Sequence, residues 1–166
     1  MKEVRIITAS PDMAEEMLRV HYSAVHEGKA RLFYPEEILH EWSSEVTAER
    51  AEDLRSRMKT DGALGVVALK GEVFVGFGIF VPSRCIIGAV YVHASFSGKG
   101  TGRLLLTRLE EIARRKGCKK VSLDSSLNAG GFYLSNGYEI IDEGTHSLPS
   151  GAKMECLMME KVLGER

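Results

Sequence analysis

The chain has 166 residues, of which 44% are hydrophobic and 27% are charged, and its net charge at pH 7 is −1. These values are typical of one water-soluble globular domain, which we expect to occupy residues 1–166. The near-zero net charge gives no indication that the protein binds nucleic acid or a membrane surface.

The first half of the chain predicts one strand followed by three helices. The strand is VRIITA at residues 4–9, and SPD at residues 10–12 is typical of a helix start. Pro35 begins the second predicted helix, and Thr47 is the expected N-cap of a third helix that runs to about Thr60.

The second half predicts three consecutive strands and then alternating elements. The strands lie within residues 63–82, with a tight Lys-Gly-Glu turn between two of them, and at residues 85–94. A helix follows, starting after a glycine-rich loop. The remaining predictions, in order, are a strand at 119–126, a short helix at 128–137, a strand at 138–143, a loop at 143–153 and a strand at 152–163. The loop is expected to be either a lid over a site or merely a solvated hairpin.

The glycine-rich loop SGKGTGR, residues 97–103, is the feature most suggestive of a ligand. The first N–H groups of a helix lack partners within the helix, and the helix dipole is positive there, so this position favours a phosphate group. The alternative is an ordinary turn into a helix. The spacing fits neither the ATP/GTP motif G-x-x-x-x-G-K-[ST] nor the dinucleotide motif G-x-G-x-x-G, so a phosphate ligand would be of another kind.

The cysteines and the apolar segments indicate the cellular compartment in which the protein is expected. Cys85, Cys118 and Cys156 are odd in number and far apart, which fits neither a disulfide framework nor a zinc site. We expect buried free thiols in a reducing cytoplasm. The longest apolar run, VFVGFGIFV, is too short to cross a bilayer, and the N-terminal segment lacks the apolar core of a secretory signal.

The loop, the segment after it and the order of the elements resemble the GCN5-related N-acetyltransferase (GNAT) family. SGKGTG is similar to the family's acetyl-CoA loop, [RQ]-x-x-G-x-[GA], with Ser97 in place of Arg or Gln. YVHASF resembles the family's Y-V-x-P strand end, SSLNAGGFYLSNGY its second conserved block, and MMEKVL its last strand. The resemblance implies an α/β fold whose central sheet is mixed and mostly antiparallel, with six to seven strands, helices on both faces and a splayed cleft for acetyl-CoA.

The resemblance also implies how acetyl-CoA would bind. Backbone N–H groups of the loop would bind the pyrophosphate, and the pantetheine arm would pair with the strand end like an added strand. The residues that it assigns to acetyl-CoA are Tyr91, Val92, Ser97, Gly98, Lys99, Gly100, Thr101, Gly102, Arg103, Ser126, Asn128, Phe132 and Tyr133.

Direct acetyl transfer needs a neutral amine, a hydrogen-bond donor to the carbonyl oxygen and a proton for the leaving thiolate. By resemblance, Tyr133 supplies the proton and the Val92 N–H is the donor. Packing of Tyr133 beside CoA is the alternative. His93 is the candidate base, since its ordinary pKa of about 6.5 suits the task and the strand before the loop contains no carboxylate. The alternative for His93 is a solvent-exposed residue at a strand end.

The acceptor pocket is expected to use aromatic and polar residues of the first helices, namely His21, Tyr22, Tyr34 and Trp42. Core packing is the alternative for Trp42. The histidines show no metal-binding spacing, so we expect no metal. We therefore predict an acetyl-CoA-dependent N-acetyltransferase that acts on the primary amine of a small molecule and can form a homodimer. A protein or peptide amine is the alternative acceptor, and a non-catalytic CoA-binding sensor is the alternative class.

Overall fold

The computed structural model describes residues 2–164 and forms one sheet with helices on its two faces. Its strands are β1 (Val4–Thr8), β2 (Leu64–Lys70), β3 (Val73–Val81), β4 (Ile86–Val92), β5 (Lys120–Ser126), β6 (Glu139–Ser147) and β7 (Lys153–Val162). Its α-helices are α1 (Ala14–His26), α2 (Glu36–Trp42), α3 (Ala48–Thr60), α4 (Thr101–Arg115) and α5 (Gly130–Ser135). The predicted order of strands and helices is confirmed. Among the helices of residues 2–164, none is long and apolar enough to cross a bilayer.

The sheet opens between its fourth and fifth strands. The seven strands lie in the order β1-β2-β3-β4-β5-β7-β6, and every neighbouring pair is antiparallel except β4 with β5. In the described residues, the β4–β5 pair has one paired position, Ile86 with Ser122. Beyond it the strands separate toward their C-terminal ends. The expected mixed, mostly antiparallel sheet with a splayed cleft is therefore confirmed.

Helices cover both faces because the side chains of a strand alternate between faces. In β2, Val66 and Ala68 belong to the core cluster that includes the apolar face of α4. Val67 and Leu69 belong to the opposite cluster, formed with α1 and α3. Because both faces of this strand are apolar, a helix covers each of them. The positions of these helices determine which helix ends lie beside the cleft.

Two glycines of β3 bring α4 close to the sheet. A side chain at Gly76 would begin 2.8 Å from a methyl of Leu105, and one at Gly78 would begin 2.6 Å from a methyl of Leu109. Real side chains do not approach this closely, so a larger residue at either position would displace the facing leucine side chain. The close packing fixes the N-terminus of α4 beside the end of β4.

Residues 143–153 form a hairpin, which was the alternative to a lid, and the strand predicted to end at residue 143 is longer than expected. β6 continues to Ser147 and pairs with β7 down to Lys153, which leaves a turn of residues 148–152. The turn is also attached to α2, since Ser150 donates its N–H (3.0 Å) and its hydroxyl (2.5 Å) to the Glu41 carboxylate. These hydrogen bonds lower the pKa of Glu41. The turn is thus tied to α2, which argues against a free lid.

The expectation of three free thiols is wrong for two of the three cysteines. Cys85 and Cys118 form a disulfide with a Cα–Cα distance of 6.0 Å, whereas Cys156 is free and buried. Cys85 precedes β4 and Cys118 precedes β5, and the parallel crossover through α4 brings these two strand starts together. Disulfides are rare in reducing compartments. The free-thiol argument for a cytoplasmic location therefore no longer holds for these two cysteines.

Loss of this disulfide is expected to lower the free energy of unfolding by about 3–4 kcal/mol, since it closes a loop with a sequence separation of 33 residues. Thiol titration of the denatured, unreduced protein should find one thiol, and the Cys156→Ser variant should have none. Urea unfolding with and without reductant measures the stability change. Three reactive thiols in the unreduced protein would contradict the assignment.

Candidate active site

A cavity of about 480 Å³ occupies the opening between β4 and β5. It extends from the glycine-rich loop and the N-terminus of α4 to the end of α1 and to α2. The sequence-predicted residues that line it are Trp42, Tyr91, Val92, Ser97, Gly98, Gly100, Thr101, Gly102, Arg103, Ser126, Asn128 and Phe132. The predicted residues outside this lining are His21, Tyr22, Tyr34, His93, Lys99 and Tyr133.

The three loop glycines are needed for two different reasons. Gly98 and Gly100 have φ values of +74° and +88°, in the left-handed region that favours glycine, and the space beside both is open. Gly102 has no such φ value. A side chain there would begin 3.2 Å from the Phe132 ring. The loop therefore keeps its backbone exposed while α4 packs directly against Phe132.

The N-terminus of α4 presents free backbone donors to the cavity. Gly100 is the N-cap, and its carbonyl accepts the N–H of Leu104 at 3.1 Å. The N–H groups of the first helical residues, 101–103, precede this bond and have no acceptor within the helix. Together with the helix dipole they form an anion-binding end.

Two lysines add positive charge near this end. The ammonium groups of Lys99 and Lys70 each lie 5.8 Å from the centre of the Phe96 ring, and Phe96 lines the cavity. The sequence did not suggest Lys70, because it lies at the end of β2, far from the loop along the chain. Both charges favour a phosphate-containing ligand.

The free edge of β4 has a donor directed into the opening. The His93 N–H donates to the Val75 carbonyl at 2.9 Å, across the β3–β4 pair. Donors on a strand alternate between its two sides, so the Val92 N–H points away from β3 toward the gap. The Ser23 hydroxyl of α1 accepts the Ala94 N–H at 3.1 Å and holds the end of α1 against this edge.

A buried acceptor without a partner lies on the opposite side of the gap. The Asn128 side-chain oxygen is buried and makes no hydrogen bond with the described residues. Such a group costs about 1–3 kcal/mol when it stays unsatisfied. Asn128 also lines the cavity, so a ligand with an amide N–H would satisfy it. Pantetheine has two amides, and the residues present therefore fit acetyl-CoA.

Tyr133 lies behind the cavity wall. Its side chain is 6% exposed, and its ring centre is 5.0 Å from that of Phe132 and 5.5 Å from that of Tyr138. The hydroxyl makes no hydrogen bond with the described residues, and burial, followed by the nearby Tyr91, raises its pKa. Tyr133 therefore keeps its proton and has a free donor, in contact with the lining residue Phe132.

His93 has a local structural role. Its Nδ1 accepts the Ser95 N–H at 3.2 Å and caps the 3₁₀ turn Ala94–Phe96. Its ring packs edge-on against Phe96 at 5.8 Å. His93 lies at the strand end, as the alternative expected, but it is only partly exposed.

The acceptor end of the cavity is aromatic. Trp42 lines it, and the His21 ring lies 5.9 Å from Trp42 and 4.4 Å from Tyr91. Burial lowers the pKa of His21 to about 4, with smaller contributions from Arg50 and His26, so His21 is neutral at neutral pH. Burial also raises the pKa of Tyr91 to about 12. This end therefore has polar aromatic groups and no charge on His21 or Tyr91.

The two other tyrosines predicted for the acceptor lie elsewhere. The Tyr34 hydroxyl donates to the Glu155 carbonyl at 2.6 Å and accepts the Leu127 N–H at 2.8 Å, which links the segment before α2 to β7. The Tyr22 ring stacks on His26 at 4.2 Å. Tyr34 therefore supports the wall of the site, and Tyr22 packs within α1.

Several lining residues were not singled out by the sequence. Five of them, Ala94, Phe96, Ala129, Ser135 and Asn136, lie inside the motifs that resemble the family, but residue type alone does not distinguish a cavity wall from a surface. The full set is Ala24, Gly28, Lys29, Val90, Ala94, Phe96, Ala129, Ser135 and Asn136.

Comparison with known sequences gives a family match over most of the chain. The sequence model described as the acetyltransferase (GNAT) family matches residues 24–138. A thialysine N-epsilon-acetyltransferase from Caenorhabditis elegans is 29% identical over 143 residues, which cover 80% of this chain and 81% of that protein. A glucosamine 6-phosphate N-acetyltransferase from Trypanosoma brucei brucei is 47% identical over 49 residues, which cover 30% of this chain and only 33% of that protein.

Comparison with solved structures gives the same fold. A GCN5-related N-acetyltransferase from Rhodopseudomonas palustris superimposes with a TM-score of 0.87 and 26% identity, over 98% of both chains. The PaiA N-acetyltransferase from Thermoplasma acidophilum, solved with coenzyme A, gives a TM-score of 0.74 and 18% identity, over 97% of this chain and 99% of that one. The sequence match, the splayed sheet and the helix end beside it agree, and the chain belongs to the GNAT family as an N-acetyltransferase.

Proposed function

We propose that the protein transfers the acetyl group of acetyl-CoA directly to the primary amine of a small molecule. The observation that carries this proposal is the single cavity that joins the anion-binding end of α4 to the aromatic pocket at Trp42. A donor and an acceptor molecule that enter from its two ends would meet at the free edge of β4. Direct transfer requires such a meeting in one site.

Acetyl-CoA supplies the activated acetyl group, and this chain supplies binding and orientation. The backbone N–H groups of residues 98–103 would hold the pyrophosphate, with Lys99 and Arg103 adding charge. The Asn128 oxygen would accept a pantetheine amide N–H, which satisfies its otherwise unpaired buried atom. Tyr91 and Val92 would pair their backbone with the arm, and Ser97, Thr101, Ser126 and Phe132 would line it. The PaiA structure with coenzyme A supports the class of ligand.

Val92 and Tyr133 would act at the reacting atoms. The Val92 N–H, directed into the gap, donates to the carbonyl oxygen where negative charge develops. The Tyr133 hydroxyl, which is protonated and unpaired, supplies a proton to the leaving thiolate. Because the pKa of Tyr133 is raised, the hydroxyl is protonated at neutral pH and can donate a hydrogen bond. It is a weak acid, so proton transfer requires close contact with the sulfur.

Water, rather than His93, would take the proton of the acceptor amine. The hydrogen bond from the Ser95 N–H to Nδ1 places the proton of neutral His93 on Nε2, so neither ring nitrogen has a free lone pair. His21 is neutral but has a pKa of about 4, which makes it a weak base. We assign Trp42 to contact with the acceptor. His21, which packs against Trp42 and Tyr91, and Tyr34 would support that pocket.

An acceptor that carries a carboxylate or a phosphate in addition to its amine would suit the pocket best. Lys29 lines this end of the cavity, and its ammonium would attract an anionic group of the acceptor. His21 is neutral, so it would not repel a protonated amine. The two relatives named for thialysine and for glucosamine 6-phosphate are consistent with this class.

The test is release of free CoA thiol from acetyl-CoA with a panel of amino acids, amino sugars and their phosphates, polyamines and short peptides. The expected result is turnover with at least one small amine and with none of the peptides. Turnover with peptides alone would give the protein-acetylating function. CoA binding without turnover of any amine would indicate a sensor.

Saturating CoA is expected to raise the melting temperature by several degrees, since a ligand that binds only the folded state at about 100 times its Kd adds about 2.7 kcal/mol of stability. ATP at the same concentration is the control, because the loop lacks the ATP motif. Differential scanning fluorimetry measures both. A clear shift with ATP and none with CoA would overturn the ligand assignment.

The remaining expectations from the sequence stay proposals: one domain over residues 1–166, a homodimer, a cytoplasmic location, and no partner among nucleic acids or membranes. Size-exclusion chromatography with light scattering would test the homodimer.

A further inference from the structure

Three strands bring together an imidazole, a thiol and a carboxylate outside the cavity described above. Asp124 lies on β5, His146 on β6 and Cys156 on β7. The possible ligand atoms of the three side chains all lie within 4.8 Å of one another. His146 Nε2 is 3.4 Å from an Asp124 carboxylate oxygen. The sequence led us to expect no metal, because these three residues are far apart along the chain and no local spacing indicates the set.

We propose that Asp124, His146 and Cys156 bind a divalent transition metal ion of the Zn²⁺ class. One nitrogen, one sulfur and one oxygen are the donor types that Zn²⁺ uses in proteins, at 2.0–2.3 Å. A tetrahedral ion of this kind holds its ligand atoms about 3.5 Å apart. The His146–Asp124 distance already fits, and the remaining distances need to close by about 1 Å. His146 and Asp124 are 52% and 42% exposed, so both can move.

The position of the sulfur is suited to a ligand from outside. Cys156 is 3% exposed, and the residue paired with it on β6 is Gly144, whose missing side chain leaves room above the sulfur. A side chain at Gly144 would begin 3.7 Å from the Cys156 Sγ. Because the side chains of a strand alternate between faces, the Cys156 sulfur lies on the same face of the sheet as His146 and Asp124.

Three protein ligands leave the fourth position of a tetrahedral ion open. Such a position is typical of zinc sites that bind water or another small ligand, whereas purely structural sites have four protein ligands. The site also adjoins the acetyl-CoA cleft, since Ser126, which is paired with Cys156 across β5 and β7, lines the larger cavity. The bound ion would fix the end of β5 against the β6–β7 hairpin at that point.

Metal binding would change the ionisation of Cys156. Burial, followed by the neighbouring Asp124 carboxylate, raises the pKa of the thiol. A divalent cation reverses the effect of the carboxylate and stabilises the thiolate, with release of a proton. The carboxylate that disfavours the free thiolate thereby becomes a ligand.

Cobalt titration tests the proposal independently of activity. The protein is purified without reductant, so that the Cys85–Cys118 disulfide stays closed and Cys156 is the sole free thiol of the described cysteines. Adding Co²⁺ should produce the near-ultraviolet band of a thiolate–cobalt bond with one ion per chain, and Zn²⁺ should displace it. Zn²⁺ affinity is then measured by competition.

Cys156→Ser should abolish the band, and His146→Ala and Asp124→Asn should each weaken Zn²⁺ binding by at least about 10-fold, since even outer-shell changes cost that much. His40→Ala is the matched control, because His40 is also an exposed histidine beside a carboxylate, Glu36, but lies on α2. The proposal is overturned if no band appears, or if His146→Ala binds Zn²⁺ as tightly as wild type. His146 is exposed, so the His146→Ala variant should fold. Its Zn²⁺ affinity therefore tests the proposal even if Cys156→Ser fails to fold.

Discussion

Replacing Gly100 with Asp is expected to weaken CoA binding by between about 10-fold and 10²-fold, because it adds a negative charge at the N-terminus of α4, where the pyrophosphate would bind. Gly100 has a φ of +88° and open space beside it, so the side chain fits without a clash and the cost to folding is limited to backbone strain. Isothermal titration with CoA measures the effect.

Two control variants separate the charge from the strain. Gly100→Asn has the same shape and the same backbone cost without the charge, so it should lose much less affinity than Gly100→Asp. Gly117→Asp adds the same residue at a φ of +85°, also in open space, but beyond the opposite end of α4, about 22 Å away. CoA affinity of Gly117→Asp should match wild type. Equal affinities of Gly100→Asp and Gly117→Asp would remove the loop from the site.

Gly102→Asp should weaken CoA binding for an additional reason. The new side chain would begin 3.2 Å from the Phe132 ring, so Phe132 must shift by a few tenths of an ångström in the cavity wall. Gly102→Ala has the same first atom and no charge. A loss with Ala that is smaller than the loss with Asp would indicate both effects, displacement of Phe132 and electrostatic repulsion.

Replacing Tyr133 with Phe is expected to lower the turnover number by roughly 10²-fold, within the usual range for general acid–base catalysis. The substitution removes the hydroxyl and keeps the ring between Phe132 and Tyr138, so CoA affinity should change little. Steady-state kinetics with an accepted amine and separate CoA titrations measure the two quantities. A turnover number within about twofold of wild type would make Tyr133 a packing residue and water the proton source.

Tyr138→Phe is the matched control for this experiment. The Tyr138 hydroxyl donates to the buried Glu110 carboxylate at 3.0 Å, and Lys161 also binds that carboxylate at 3.1 Å. Loss of a hydrogen bond to a charged group costs about 1.5–3 kcal/mol of stability. Tyr138→Phe should therefore lower the melting temperature and leave turnover near wild type, the reverse of Tyr133→Phe.

The pH dependence of turnover should distinguish ionisation of the acceptor amine from ionisation of Tyr133. Burial raises the pKa of Tyr133 above its ordinary value of about 10, so the hydroxyl stays protonated through pH 9. The rate should then rise with pH as the acceptor amine loses its proton and show no fall below pH 9 caused by Tyr133. A falling limb near pH 8 that disappears in Tyr133→Phe would contradict this protonation state.

The sequence predicted the parts of the fold that have local signals. Apolar alternation, helix caps and glycine-rich turns gave the order of all seven strands and five helices, and the loop with the Phe132–Tyr133 block gave the family. Contacts made across the sheet had no local signal. The Cys85–Cys118 disulfide depends on two parallel strands meeting at one paired position, and the length of β6 depends on its pairing with β7.

In the candidate site too, some residues could be predicted from the sequence and others could not. The glycine positions and Asn128 follow from a motif at fixed spacing, and the structure brings them to one cavity. Individual side-chain roles at the other end depend on tertiary contacts. Tyr34 was expected in the acceptor pocket and instead uses its hydroxyl to join Glu155 and Leu127. Lys29 and Lys70 are ordinary surface lysines in the sequence and acquire a place near the cleft only when the sheet forms.

A crystal structure of the protein with bound CoA tests the central claim most directly. The expected complex has the pyrophosphate oxygens within about 3.2 Å of backbone nitrogens of residues 98–103, and a pantetheine amide N–H bonded to the Asn128 oxygen. It also has the thiol at the free edge of β4, between the Val92 N–H and the Tyr133 hydroxyl. CoA bound with its pyrophosphate away from the N-terminus of α4, or with its thiol outside the gap between β4 and β5, would contradict the account.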